Sequence, residues 1–445
     1  MNTKRQSTYN PADLNNASYL TFSFAPTSTT AKSFGLKLAS QFLDSNSKAS
    51  NRGRPIKIDG VAIAAVAIVA EVLDATRGQL ERSVYHGLSP NHFTGKSISS
   101  RQFTRVMQGL EGLKLLKKTK GHWNKKSMFE DVATPTSGFG KATRWQATQK
   151  LFDLSKSNGI THKNIDEHFQ IQPLKEVLIL RKSSRLVNGR KVKGPQVKFP
   201  ETKMTQRLEA EVKEINEFLR GHKIDGATHR GYRRIFNQGD NPKTYAWNKG
   251  GRLYGSGAET DYLTVQKEKR RKMQIDGEPT VEIDIRASFL TIFHGIHGVA
   301  LDVQQDPYKV QGLPREIVKK WVVIAFGSGK PPARWSVNAG KDYFETSKTG
   351  RMLGQDYPIK VVTEKILTAI PVLKKLQAGD GFTLMNIESN AVVASILRLL
   401  REDRVPAYSV HDCLMVKSDD RELAMKALAE EYQKSANIIP HLKVV

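Results

Sequence analysis

VEIDIRASFLTIF (281–293) and PAYSVHDCLMVK (406–417) are the two stretches on which the reading of this chain turns. In the first, Val281, Ile283 and Ile285 alternate with Glu282 and Asp284, the period of a strand with one apolar face. Glu282 and Asp284 then share the other face, and the apolar run that follows favours the start of a helix. In the second, apolar residues flank His411-Asp412, which interrupts a core strand or forms a tight hairpin. A carboxylate at the end of a buried strand is costly unless it is paired or metal-bound. Taken singly, each aspartate fits a salt-bridged strand end. Taken together, Asp284 and Asp412 meeting across a sheet would make a hard-cation, oxygen-ligand site suited to two Mg²⁺ ions, with Mn²⁺ as a substitute. Two such ions can activate an attacking hydroxyl and neutralise a leaving pyrophosphate.

Two more segments lie between these. REIVKKWVVIAFGSGKPP (315–332) places Arg315 and Lys319 four apart, on one helix face, with Phe326 two turns beyond Lys319. Such a face can hold a triphosphate and stack on its base; it also fits a solvated basic face with a core phenylalanine. FTLMNIESNAVVASILRLL (382–400) places Asn386 and Asn390 four apart, ahead of the apolar positions Val393, Ile396, Leu397 and Leu400. Amides on one face can read the minor groove of a duplex, or they can serve as caps.

Farther out, the composition narrows the partners. The 445 residues carry 70 Lys and Arg against 44 Asp and Glu, a formal charge of +26, which implies a polyanion such as nucleic acid. The single cysteine, Cys413, excludes an intrachain disulfide or a zinc finger and fits the reducing cytoplasm. The first residues are polar and have no signal-peptide core. The apolar run 60–73 is too short to span a bilayer and contains Glu71, so it reads as a buried helix and no membrane partner is expected.

The order of segments predicts four regions: a loosely packed segment 1–55, with a short helix from Ala31 to Leu43 and a polar break at 45–54; a DNA-binding unit 56–160; a basic linker with helices, a candidate thumb, 161–230; and a mixed region 231–445. In the second region, Ser99 or Ser100 can cap a helix carrying Phe103, Val106, Met107, Leu110 and Leu113, followed by a strand, a basic turn and KATRW. Helices followed by strand, basic loop and strand is the order of a winged helix. Arg101, Arg105, Lys117, Lys118, Lys120 and Arg144 are the expected phosphate contacts. In the third, RKSSRLVNGRKVKGPQVK (181–198) is a basic loop that either touches phosphate or serves as a solvated connector, and an amphipathic helix follows from Thr202. Residues 225–280 read as short elements and turns, with the charge run KEKRRK just ahead of the Asp284 strand.

Strand aspartate, Arg/Lys helix, amide helix and Val-His-Asp strand, in that order, resemble the palm and fingers of family A DNA polymerases and single-subunit phage RNA polymerases. The resemblance covers residues 230–445 and implies an α+β right-hand polymerase palm and fingers, behind a mostly helical, basic N-terminal region. It implies that Asp284 and Asp412 are catalytic and ligate both metals, with the Ile285 carbonyl assisting. Arg315 and Lys319 would bind the incoming triphosphate, either with the helix locally adjusted or with Lys320 taking part in place of Lys319, and Phe326 would stack near the nascent base pair. Asn386, Asn390, His411 and Arg252 would touch the primer-template.

Two departures stand out. Cys413 follows His-Asp where family A DNA polymerases commonly have Glu, and the Lys319-to-Phe326 spacing is one residue short of the family's usual one. Phe289 occupies the position five residues after the first aspartate; its bulk against the sugar would exclude a ribose hydroxyl, or else it packs into the core. The expected activity is template-dependent DNA synthesis from dNTPs on a DNA primer-template without proofreading, with replication proteins as further partners. RNA polymerase or primase activity on the same palm, a non-enzymatic DNA-binding replication initiator and a nuclease are the alternatives.

Overall fold

The computed structural model describes residues 17–45, 58–77, 80–93, 96–123, 140–187, 190–255, 261–302, 305–347 and 350–445. The fold is α+β with mixed sheets and helices. Packing divides the chain into two units, Met1–Lys175 with Gly255–Val265 and Glu176–Tyr254 with Gln266–Val445. Among the described residues no helix is long and apolar enough to cross a membrane.

The first unit is built on the helix Ile58–Ala75, which is buried nearly all round. Its alanines let the helix Thr29–Ser45 approach closely: a Cβ on Gly35 would lie 2.8 Å from the Ala62 carbonyl oxygen. The one acid in the interior of that apolar helix, Glu71, is satisfied locally. Its carboxylate accepts from the Thr21 and Ser23 backbone N–H groups at 2.6 and 2.7 Å and from the Thr21 hydroxyl at 2.7 Å. Burying a carboxylate is tolerable only when it is hydrogen-bonded in this way.

Within the segment expected to be loose, residues 17–42 pack into this unit, and the short helix expected from Ala31 to Leu43 is Thr29–Ser45. Phe22, Phe24, Phe34, Leu38 and Phe42 are core residues, because the apolar positions after Thr29 recur at helical spacing and have a helix to pack against. Residues 1–16 and 46–57, including most of the expected break, lie outside the described residues.

The four-stranded sheet of this unit runs in the order Ala17–Tyr19, Ser83–Tyr85, Arg144–Ala147, Leu116–Thr119; the first pair is parallel and the others antiparallel. The helix Ser100–Gly112 starts from a capping box between Ser99 and Gln102 and buries Phe103, Val106, Met107 and Leu110. Residues 124–139, beyond the expected basic turn, lie outside the described residues.

Two larger sheets build the described part of the second unit. One runs Gln196–Val197, Leu178–Arg181, Arg233–Phe236, Gly250–Tyr254. Residues 250–254, within the region read as short elements and turns, form one of these strands. Gly250 and Gly251 have φ of +82° and +90°, and a Cβ on Gly251 would press on Phe236 at 2.9 Å. The other sheet runs Ile224–Asp225, Gln274–Ile275, Glu278–Ile285, Cys413–Lys417, Tyr408–Val410, with Leu442–Val444 also paired to Glu278–Ile285. The helix Lys203–Arg220 buries Leu208, Val212, Ile215 and Leu219, as its periodicity predicts, while Met204 stays exposed.

Candidate metal centre and its cavity

Register brings the two aspartates together. In the antiparallel pair Glu278–Ile285 and Cys413–Lys417, Asp284 stands opposite Cys413, and the Cys413 thiol donates to Asp284 Oδ1 at 3.1 Å. Val410 pairs with Cys413, so His411-Asp412 is the two-residue turn of a hairpin and presents Asp412 beside Asp284. Among the described residues, Asp284, Asp412 and Cys413 form the cluster whose ligand atoms all lie within 4.8 Å of one another. Glu282, two residues earlier on the strand, stays out of it: buried, it is held by Arg270 Nε at 2.5 Å. Part of the KEKRRK charge run is thereby an internal ion pair.

Two residues next to these acids adopt left-handed backbone, His411 at φ +59° and Ala287 at φ +47°. Neither is glycine, and each such position costs about 1–2 kcal/mol. His411 gives the tight hairpin its positive φ at the first turn position, and Ala287 turns the chain from the Asp284 strand into the helix Ser288–Ile296. Strain of this kind is tolerated where geometry is constrained by the surroundings.

The acids open onto a cavity of about 1050 Å³. On one wall, the helix Arg315–Ser328 contributes Arg315, Lys319 and Phe326, the face that i, i+4 spacing predicts. Arg315 is also paired with Asp306 at 2.7 Å. Lys320 is not on this wall; one residue of helix rotates it away, to an ion pair with Asp342. Ile285 and Phe289 line the cavity as well, the Phe289 ring meeting Phe326 edge-on at 6.1 Å. Arg252 reaches it from the strand Gly250–Tyr254.

The amides differ from expectation. Asn386 is buried and donates to the carbonyls of Trp247 and Gly250 at 3.3 and 3.1 Å, and Asn390 donates to Asn386 and accepts from Arg234. They fasten a helix to the neighbouring strand, because a strand that crosses so close leaves its carbonyls needing donors. Neither lines the cavity, and His411 sits exposed at its turn rather than on the cavity wall.

Sequence reasoning missed Glu388. It lies on the helix Asp380–Arg398, fully buried, and lines the cavity. Its carboxylate accepts from Arg252 Nε at 2.8 Å and from the Ser288 hydroxyl at 2.6 Å. Burial pushes its carboxyl up to about 7; Arg252 pulls it down and the charge of Asp412 pushes it further up. The signal was present: Glu388 is spaced with Leu384, Ala391 and Ser395 on the buried face. Burial, and then the adjacent Asp284 charge, hold the Asp412 carboxyl above the usual range, with Arg252 opposing them. Cys413 is pushed up by burial and by both aspartates, so its thiol is neutral.

In the first unit, Arg101, Arg105, Lys117, Lys118 and Lys120 are exposed, Lys118 being 3.4 Å from Glu111. Arg144 is not a surface contact. It is 6% exposed, with its guanidinium 4.0 Å from the centre of the Tyr85 ring and one N–H donated to the Ala142 carbonyl, because its strand is central in the sheet.

No family model matches the sequence, and no curated protein matches it. Among solved structures, the chain is similar to "POL domain of Pol1 from M. smegmatis complex with DNA primer-template and dNTP", at 12% identity and a TM-score of 0.31, covering 95% of this chain and 66% of that one. The chain thus spans just under two thirds of that polymerase domain. The match to this polymerase structure is distant and partial.

Proposed function

We propose that the chain is a template-dependent DNA polymerase that transfers a nucleotide from a dNTP to a primer 3′-hydroxyl. The observation that carries this reading is Asp284 and Asp412 side by side at the floor of a cavity whose wall presents Arg315 and Lys319. The donors fit a hard divalent cation. Burial, and then the neighbouring Asp284 charge, raise Asp412, and a divalent charge bound there would favour its ionised form. Asp284, Asp412 and the Ile285 carbonyl would hold it. When bound, two such ions supply an activated hydroxyl and neutralise the leaving pyrophosphate. Lys319 and Arg315 hold the triphosphate, Arg315 by exchanging Asp306 for phosphate. Phe326 and Phe289 exclude water from the reacting base pair. Phe289, through its bulk, selects deoxyribose. Arg252, fixed by Glu388, meets the primer end.

The first unit supports a DNA-holding role. A central strand Arg144–Ala147 flanked by Ser83–Tyr85 and Leu116–Thr119, beside the helices Ile58–Ala75 and Ser100–Gly112, would suit a winged helix, and the exposed Arg101, Arg105, Lys117, Lys118 and Lys120 would supply phosphate contacts. The same unit would serve a non-enzymatic replication initiator, in which Asp284→Ala and Asp412→Ala leave function intact.

The test is primer extension with Mg²⁺, giving dNTPs and rNTPs separately, on primed and unprimed templates. Extension with dNTPs, lost in Asp412→Asn, is expected. Extension with rNTPs or from an unprimed template would mean an RNA polymerase or primase. Failure with every nucleotide and template would end the polymerase reading.

A further inference from the structure

The basic stretch 181–198, RKSSRLVNGRKVKGPQVK, contains no Asp or Glu and has no role in the chemistry above. Its described residues form a hairpin stem. Arg185–Val187 pairs antiparallel with Arg190–Val192, and its stem continues from Leu178–Arg181 paired with Gln196–Val197. The root is held firmly. Ser183 donates to Asp240 through its backbone N–H at 3.2 Å and its hydroxyl at 2.5 Å, the Lys182 N–H donates to the Pro195 carbonyl at 3.0 Å, and Gly194 leaves no room for a Cβ beside the Lys182 carbonyl. Ser183 and Ser184, at that root, line the same cavity as Asp284 and Asp412. Beyond the root the hairpin bares apolar surface: Leu186 is 74% exposed and Val192 43%. The register puts Arg185 and Val192 on one face and Leu186 on the other.

An apolar side chain held out on an all-basic hairpin at the mouth of a nucleic-acid cavity matches the chemistry of a duplex end. Lys and Arg neutralise phosphates, and a leucine or valine wedged beside a base step replaces lost stacking with apolar contact. A protein partner would meet the same apolar residues but would not need a segment whose own charged residues are all basic. We propose that this hairpin is a duplex-opening wedge: Leu186 and Val192 separate the strands at a DNA fork, while Arg185 and Lys193 grip the flanking phosphates. This rests on the reading that the cavity receives a nucleic-acid strand, and it adds strand displacement to it.

The experiment uses the full chain and a forked DNA duplex with 2-aminopurine in the first base pair, without nucleotide or metal. The wild-type protein is expected to raise the fluorescence several-fold. Leu186→Ser/Val192→Ser should lose that rise while binding the fork with unchanged affinity. Arg185→Ala/Lys193→Ala should weaken binding and reduce the salt slope by about two, since each phosphate contact contributes about 0.9. No rise with the wild type, or an equal rise with the serine variant, overturns the proposal. With dNTPs added, the serine variant should copy single-stranded template normally and stall at a downstream duplex. Equal displacement by both proteins overturns the wedge and leaves the polymerase reading standing; a fluorescence contrast without synthesis does the reverse.

Discussion

Replacing Glu388 with glutamine tests the electrostatics of the cavity floor directly. The wild-type carboxyl titrates near 7 in the folded protein against 4.5 when unperturbed. Below pH 4.5 both folded and unfolded chains hold the proton, so pH has no effect through this group. As pH rises from 4.5 to 7, the unfolded chain gives up its proton and the folded one keeps it, so stability falls; above 7 the loss levels off. At 1.36 kcal/mol per pKa unit, the loss across that window is about 3 kcal/mol. In Glu388→Gln the new side chain keeps the shape and both hydrogen bonds, its carbonyl accepting from Arg252 and its amide donating to the Ser288 hydroxyl, but it does not titrate. Urea unfolding in chelator, at fixed pH values across the window, should show the variant gaining about 3 kcal/mol on the wild type as pH rises. Parallel pH profiles for the two proteins would refute the assignment of a raised pKa to Glu388.

Asp284→Asn and Asp412→Asn should each weaken Mn²⁺ binding by at least tenfold in paramagnetic relaxation titrations, and wild-type affinity should rise with pH as Asp412, held above its usual range, ionises. Iodoacetamide should alkylate Cys413 slowly at pH 8, because burial and then the Asp284 charge hold the thiol protonated, and faster in Asp284→Asn, which removes that charge. Glu71→Ala should destabilise the first unit by about 3 kcal/mol, since it leaves the Thr21 and Ser23 N–H groups buried without that acceptor; a loss below about 0.5 kcal/mol in thermal unfolding would contradict this. Lys319→Ala should raise the dNTP KM in primer extension about tenfold while Lys320→Ala leaves it unchanged, because only Lys319 lines the cavity.

The elements legible in the sequence were those with strong periodicity. Val281 to Ile285 alternate and form a strand, and the Arg315 face recurs every four residues and lines the cavity. His411-Asp412, a polar pair between apolar runs, was legible as a break in a core strand or a hairpin turn, because two ionisable residues fit poorly inside a core; the register decides for the turn. Polar residues whose partner is remote in sequence were not legible. Asn386 and Asn390 look alike whether they face solvent or a backbone carbonyl, and only the crossing of the strand Gly250–Tyr254 over their helix decides it. Arg144 reads as a surface cation until its strand is placed in the middle of a sheet. Glu388 was visible as an acid on an apolar face, but its significance depends on Arg252 and Ser288, both distant in the chain.

The strand Ala17–Tyr19 pairs in parallel with Ser83–Tyr85, and the Thr21–Ser23 backbone is satisfied by Glu71. During translation, then, the earliest described strand leaves the ribosome with none of these partners made. It must wait through two helices before its sheet can begin, with Phe22 and Phe24 exposed in the meantime. Slow decoding between residues 26 and 85 would lengthen that wait, so codon choice over this interval, rather than over the cavity-forming half, should govern how much of the protein is recovered folded.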